Sequence, residues 1–142
     1  MLLLCILCNS EGMDARQFLE NYARQQRIID NNEYESQEAQ KKLNSLPAKV
    51  TYNGIGQAER ELKKALKTII KECDARSAAA RQKCEEIRAA VDAVQDPRHR
   101  EILQRRYLQR RPETWESIAK QMNYSVENCH KLHRAALKQF KP

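Results

Sequence analysis

Glu127, His130, Lys131, Arg134 and Lys138 recur at three- and four-residue spacing near the end of this 142-residue chain. On a helix, residues so spaced share one face. Between them run Cys129, Leu132, Ala136, Leu137 and Phe140, which read as an anchoring apolar stripe. A helix held on one side and basic on the other suits the major groove of duplex DNA. That groove admits an α-helix and shows each base pair as a distinct hydrogen-bonding pattern. The chemistry on offer is hydrogen bonding and charge. No paired acids at productive spacing, glycine-rich phosphate loop or nucleophile beside a base occurs, so no enzymatic activity is expected. His130 and His133 beside Cys129 are metal-ligand types, but no further ligand stands near them, and neither metal nor cofactor is expected.

Charge supports the same reading. The formal net charge is +7, and residues 97–142 hold eleven Lys/Arg against four Asp/Glu, whereas residues 1–96 hold equal numbers of each sign. The excess therefore belongs to one third of the chain, the usual footprint of a polyanion binder. Arg98 and Arg100 lie at the start of this segment. Arg105, Arg106, Arg110, Arg111, Lys120 and Lys138 are the candidates to hold phosphates around the polar helix face.

Three short helices must position these groups. Asp96-Pro97 begins the first, with Asp as N-cap and Pro at the first helical position, where a missing N–H costs nothing. This helix is expected to run through Ile102, Leu103 and Tyr107 to Arg111, closed by Pro112. Thr114 caps a second helix whose inner face is Trp115, Ile118, Ala119 and Met122; Trp115 reads as core rather than as a stacking platform for bases. Asn123 stands where the chain turns sharply, and Asn tolerates the left-handed conformation there. Ser125 caps the third helix, with Glu127 in its first turn, where the helix dipole favours an anion.

Before this unit lie two helical arms, residues 13–95, joined by a loop at 47–56. The first carries a thin stripe of Phe18, Leu19, Tyr22, Ile28, Ile29, Leu43 and Leu46, and ends at Pro47. The second repeats Leu66, Cys73, Ala80, Ile87 and Val94 every seven residues, flanked by Leu62, Ile70, Cys84 and Val91. Such a pattern is coiled-coil-like, and it fits either a hairpin within one chain or a seam shared by two. Asn53-Gly54 signals a turn. With only 6% aromatic residues and three glycines, the fold class is all-α: long coiled-coil-like arms, then a helix-turn-helix domain over 96–142.

Residues 1–12 read as an extension outside the fold. The apolar run Leu2–Cys8 is too short to span a bilayer and lacks a signal peptide's basic start and cleavage site. Met13 and Asp14 open a good helix, so Met13 is the expected natural start. Cys5 and Cys8 have no second pair. Cys73, Cys84 and Cys129 sit at apolar helical positions as expected buried thiols of a reducing, cytoplasmic setting.

Three stretches then carry a family resemblance: Asp96-Pro-Arg-His-Arg-Glu-Ile-Leu-Gln-Arg-Arg-Tyr107, Trp115-Glu-Ser-Ile-Ala-Lys-Gln-Met-Asn-Tyr-Ser125, and Val126-Glu-Asn-Cys-His-Lys-Leu-His-Arg-Ala-Ala-Leu137. In this order they resemble region 4 of the sigma-70 family. They are more similar still to the region 4-like proteins of phages and prophages of Gram-positive bacteria, relatives of the ArpU-type late transcription regulators. The resemblance implies that Glu127, His130 and Lys131 stand where region 4 reads promoter bases, with Val126 at the entering end. Val126 and His130 replace residues usually Arg in sigma factors, and Asn123 replaces the usual turn Gly, which argues against the ordinary −35 hexamer as target. Nothing in the chain resembles the promoter-melting region 2.

The expected function is a sequence-specific, non-catalytic transcription regulator of phage or prophage origin, acting on double-stranded DNA at the host nucleoid. Its arms would make a homodimer or engage RNA polymerase. Two rivals share the architecture: a small-terminase-like subunit that recognises DNA for packaging, and a polymerase-binding adaptor that leaves DNA alone.

Overall fold

A computed structural model describes residues 14–47 and 55–142. The Leu2–Cys8 run, Cys5, Cys8, the start at Met13 and the Asn53-Gly54 turn lie outside them. The protein is all-α, with α1 (Ala15–Ser45), α2 (Ile55–Asp92), α3 (Pro97–Tyr107), α4 (Trp115–Met122) and α5 (Val126–Gln139), and no strand among the described residues. No described helix is long and apolar enough to cross a membrane.

The chain forms two compact units. The division cuts through α1 and α2 instead of following the helix ends. One unit spans Gln26–Gln82. Within it the α1 segment runs antiparallel to the α2 segment of the same chain. The Ser36 hydroxyl donates to Asp74 (2.9 Å), Arg81 pairs with Glu33, and Lys63 donates to the carbonyl of Pro47. Ile29, Ala39, Leu66, Cys73, Ser77 and Ala80 are its buried residues, with Leu62 about half exposed. Small side chains such as Ala39, Ser77 and Ala80 let two helices approach closely, so a seam with few large apolar groups still closes.

The other unit contains residues 14–25, the α2 segment from Lys83 onward, and α3–α5. Here the α1 segment meets the α2 segment at Tyr22. The Cys84 thiol donates to the Tyr22 carbonyl (3.9 Å), and Arg88 donates to the Tyr22 hydroxyl (2.7 Å) while lying over the same ring. From Cys73 to Val91 the buried positions of α2 are 73, 77, 80, 84, 87 and 91, alternating by four and three. Such an alternation turns one edge of a helix toward a partner helix. Val94, the last residue of the expected repeat, falls past the end of α2 and is half-buried.

Ile102, Leu103, Ile118 and Cys129 are fully buried where α3, α4 and α5 meet. Each large aliphatic side chain so enclosed contributes about 1.5–3 kcal/mol of transfer free energy. The Phe18 ring from α1 lies 5.9 Å from the Phe140 ring that follows α5. The three short helices therefore share a core with the foot of the arms.

The structure corrects two expectations. First, α3 ends at Tyr107, four residues before Arg111, with Leu108 as its C-cap. Arg111 precedes Pro112, whose ring disfavours helical backbone at the residue before it. Second, Leu132 and Leu137 are only half-buried, and His133 takes the inward place between Cys129 and Ala136.

Candidate nucleic-acid interface

Capping groups define the site. Asp96 accepts the Arg98 backbone N–H (2.9 Å) with Pro97 next in line. The Arg98 guanidinium folds back onto the same carboxylate (3.2 Å) and holds it below the usual carboxylate range. Thr114 accepts the Ser117 N–H (3.2 Å), and Ser125 accepts the Asn128 N–H (3.1 Å). Each cap satisfies a helix-end donor that would otherwise need water.

Between α4 and α5, Asn123 has φ 58° and ψ 42°, the only positive φ outside glycine among the described residues. The Tyr124 N–H then reaches back to the Ala119 carbonyl (3.0 Å). This left-handed step followed by a Ser cap reverses the chain within three residues. It makes α4 and α5 a helix-turn-helix pair.

One face of α5 is exposed. Glu127, Asn128, Lys131, Arg134 and Lys138 lie on it, whereas Cys129, His133 and Ala136 point inward. At ~100° per residue, Glu127, Lys131, Arg134 and Lys138 fall within an arc of about 60°. In the free protein Lys131 pairs with Glu127 (3.4 Å), a solvated contact that a stronger anion can displace.

Val126 and His130 stand along one edge of this face and are half-buried. The His130 ring lies 4.5 Å from that of Trp115, so its orientation is fixed by α4. Trp115 is itself half-buried. It also meets the His133 ring edge-on at 4.9 Å and carries the Arg106 guanidinium over its face at 4.7 Å.

The expected phosphate-binding residues divide into two groups. Arg105 is engaged inside the domain: it pairs with Glu101 (3.0 Å) and Glu113 (3.4 Å) and donates to Gln121 (2.8 Å). Arg106 donates to the Glu113 carbonyl (2.7 Å) while stacking on Trp115. Both join α3 to the loop before α4 and to α4 itself. Arg110, Arg111, Lys120 and Lys138 are exposed.

Burial explains the remaining titratable groups. His133 is pushed down to about 4, first by desolvation and then by Arg16, Arg106, His130 and Arg134, so it is neutral at physiological pH. Desolvation pushes the Tyr107 phenol up and likewise raises the Cys73 and Cys129 thiols, which are buried and free.

Residues 96–141 match the family model for sigma-70, region 4. The C-terminal domain is a sigma-70 region 4-like helix-turn-helix. No curated protein and no solved structure matches the chain. The region 4-like domain is a DNA-binding, regulatory type of domain, in keeping with an exposed α5 face that carries hydrogen-bonding groups and charge.

Two residues of this surface escaped sequence reasoning. Tyr124 and Asn128 line a shallow cavity of about 360 Å³ with Arg98, Lys131 and Leu132. Asn128 sits on the exposed face one residue after Glu127, where an anchoring stripe assigned by periodicity leaves its side unresolved. Tyr124 is 40% exposed, because the left-handed Asn123 turns the chain outward at that point.

Proposed function

We propose that the chain is a sequence-specific transcription regulator of phage or prophage origin, and that α5 of its region 4-like domain enters the major groove. The exposed Lys131–Arg134–Lys138 face beside the capped start of α5 carries this reading. Glu127, Lys131 and Arg134 would meet base edges, with Val126 and His130 bounding one side of the face. Asn128 joins them, since an Asn amide can pair bidentately with adenine. Arg110, Arg111, Lys120 and Lys138 would bind phosphates. Arg105 and Arg106 would hold α3 and α4 in the register that presents them.

Within this reading the arms provide a homodimer contact or a surface for RNA polymerase. A dimer would place two recognition helices about 34 Å apart, or at a multiple of that distance. The test is binding of the full chain to its own upstream DNA and to unrelated duplex across a salt series. Preference for the native fragment supports a regulator that reads sequence. Equal affinity for both fragments refutes sequence reading, and absence of binding at low salt favours a polymerase adaptor.

A further inference from the structure

The arms are neutral in sum but not in distribution. Arg60, Lys63, Lys64, Lys67 and Lys71 lie along one face of α2 within three turns, and residues 62–71 contain no Asp or Glu. Together with Thr68 they line one open groove of about 460 Å³. Five other cations of the arms pair with carboxylates: Arg16 with Glu20, Lys41 with Glu38, Arg76 with Glu72, Arg81 with Glu33, Arg88 with Glu85. Among the described residues, Lys64, Lys67 and Lys71 have no carboxylate within salt-bridge distance. Arg60 donates to the neutral Gln57 and Lys63 to a carbonyl. The pairs Arg60/Lys64, Lys63/Lys67 and Lys67/Lys71 stand four residues apart, so like charges oppose the helix that carries them.

We infer that this stripe is a second nucleic-acid contact, binding the phosphate backbone of duplex DNA without reading sequence. At 1.5 Å rise per residue the stripe from Arg60 to Lys71 is about 16 Å long. Phosphates follow one another every ~3.4 Å of helix axis on one strand, so several lie within its reach. Four of the five cations are lysines, flexible point charges that suit a diffuse polyanion and are depleted in protein–protein interfaces. A lipid surface fits poorly, because Leu66 is buried and Ile69 and Ile70 are half-buried, leaving little apolar surface to insert. The choice of duplex DNA rests on the DNA-binding reading of the region 4-like domain; the stripe itself lies wholly in the Gln26–Gln82 unit.

The test compares the full-length chain with its Lys64→Gln/Lys67→Gln/Lys71→Gln variant on a duplex of unrelated sequence, from about 50 to 200 mM salt. The slope of log K against log salt should become shallower by about 2–3 in the variant. Affinity at the low-salt end should fall at least ~tenfold, while the thermal midpoint holds or rises as like charges are removed. Unchanged slope and affinity overturn the inference. So does binding of the wild-type chain to anionic vesicles but not to duplex. A Lys131→Ala/Arg134→Ala variant separates the two surfaces. If it loses preference for the native fragment yet keeps the stripe's share of the slope, both surfaces act. If it loses all duplex affinity while the glutamine variant loses none, only the recognition helix binds and the stripe does not. If it keeps preference and affinity while the glutamine variant loses slope, the stripe stands and the α5 reading fails.

Discussion

The Tyr107 hydroxyl lies 2.7 Å from His133 Nε2, joining the last residue of α3 to the middle of α5 inside the domain core. Both groups are held neutral by burial. Either the phenol donates to Nε2 or an Nε2–H donates to the phenol oxygen, according to which ring nitrogen carries the proton. Because burial disfavours the charged imidazolium, the seating of α5 is tied to pH.

Acid should loosen this domain before carboxylates titrate. The unfolded chain binds a proton at His133 near its ordinary 6.5, and the folded chain only near 4. Stability is thus fully present above about 6.5 and lost as pH falls toward 4, by on the order of 2–3 kcal/mol. Thermal midpoints between pH 7.5 and 4 should fall through that window, and a His133→Gln chain should fall less. Parallel curves would refute the assignment.

Tyr107→Phe keeps the ring packing and removes the hydroxyl, leaving His133 Nε2 buried without its partner. The expected cost is about 1–3 kcal/mol, measured by urea denaturation. A neutral result would mean water replaces the hydroxyl.

Replacing Lys131 and Arg134 by Ala should abolish preference for the native DNA fragment with helix content unchanged. For the wild-type region 4-like domain, about five neutralised phosphates give a log–log salt slope near −4 to −5. Retained preference in the double variant would move base reading off α5.

The turn offers a backbone test. Asn123 holds φ 58°, so Asn123→Gly should be neutral or slightly stabilising, while Asn123→Ala should cost about 1 kcal/mol. Equal midpoints for the two variants would show that the turn relaxes out of the left-handed region.

Core substitutions should rank by burial. Ile118 is fully buried and Leu132 half-buried. Ile118→Ala should cost about 2–5 kcal/mol and Leu132→Ala clearly less. The reverse order in chemical denaturation would contradict the packing of α5.

Local signals on the chain were legible to the extent that they act locally. Asp96-Pro97, Thr114, Asn123 and Ser125 each determine the backbone within one turn, and each takes the conformation its side chain favours. Inward and outward sides of α5 were harder, because His133 and Leu132 are adjacent and hydropathy alone favours the leucine. Only Tyr107 and Trp115, brought in from other helices, make a histidine the better core residue. The same limit hid the internal roles of Arg105 and Arg106, whose partners Glu113, Gln121 and Trp115 lie seven to sixteen residues away. The antiparallel pairing of the arms within one chain likewise rests on contacts such as Ser36 with Asp74, which a seven-residue repeat cannot distinguish from pairing between chains.

Trp115 is the sole tryptophan of the chain, and Arg106, His130 and His133 surround it from α3 and α5. Its emission therefore reports on the seat of the recognition helix with no added label. Docking of α5 onto a duplex, or protonation of His133, alters the surroundings of that one indole, so both events can be followed as a change of fluorescence in the native chain.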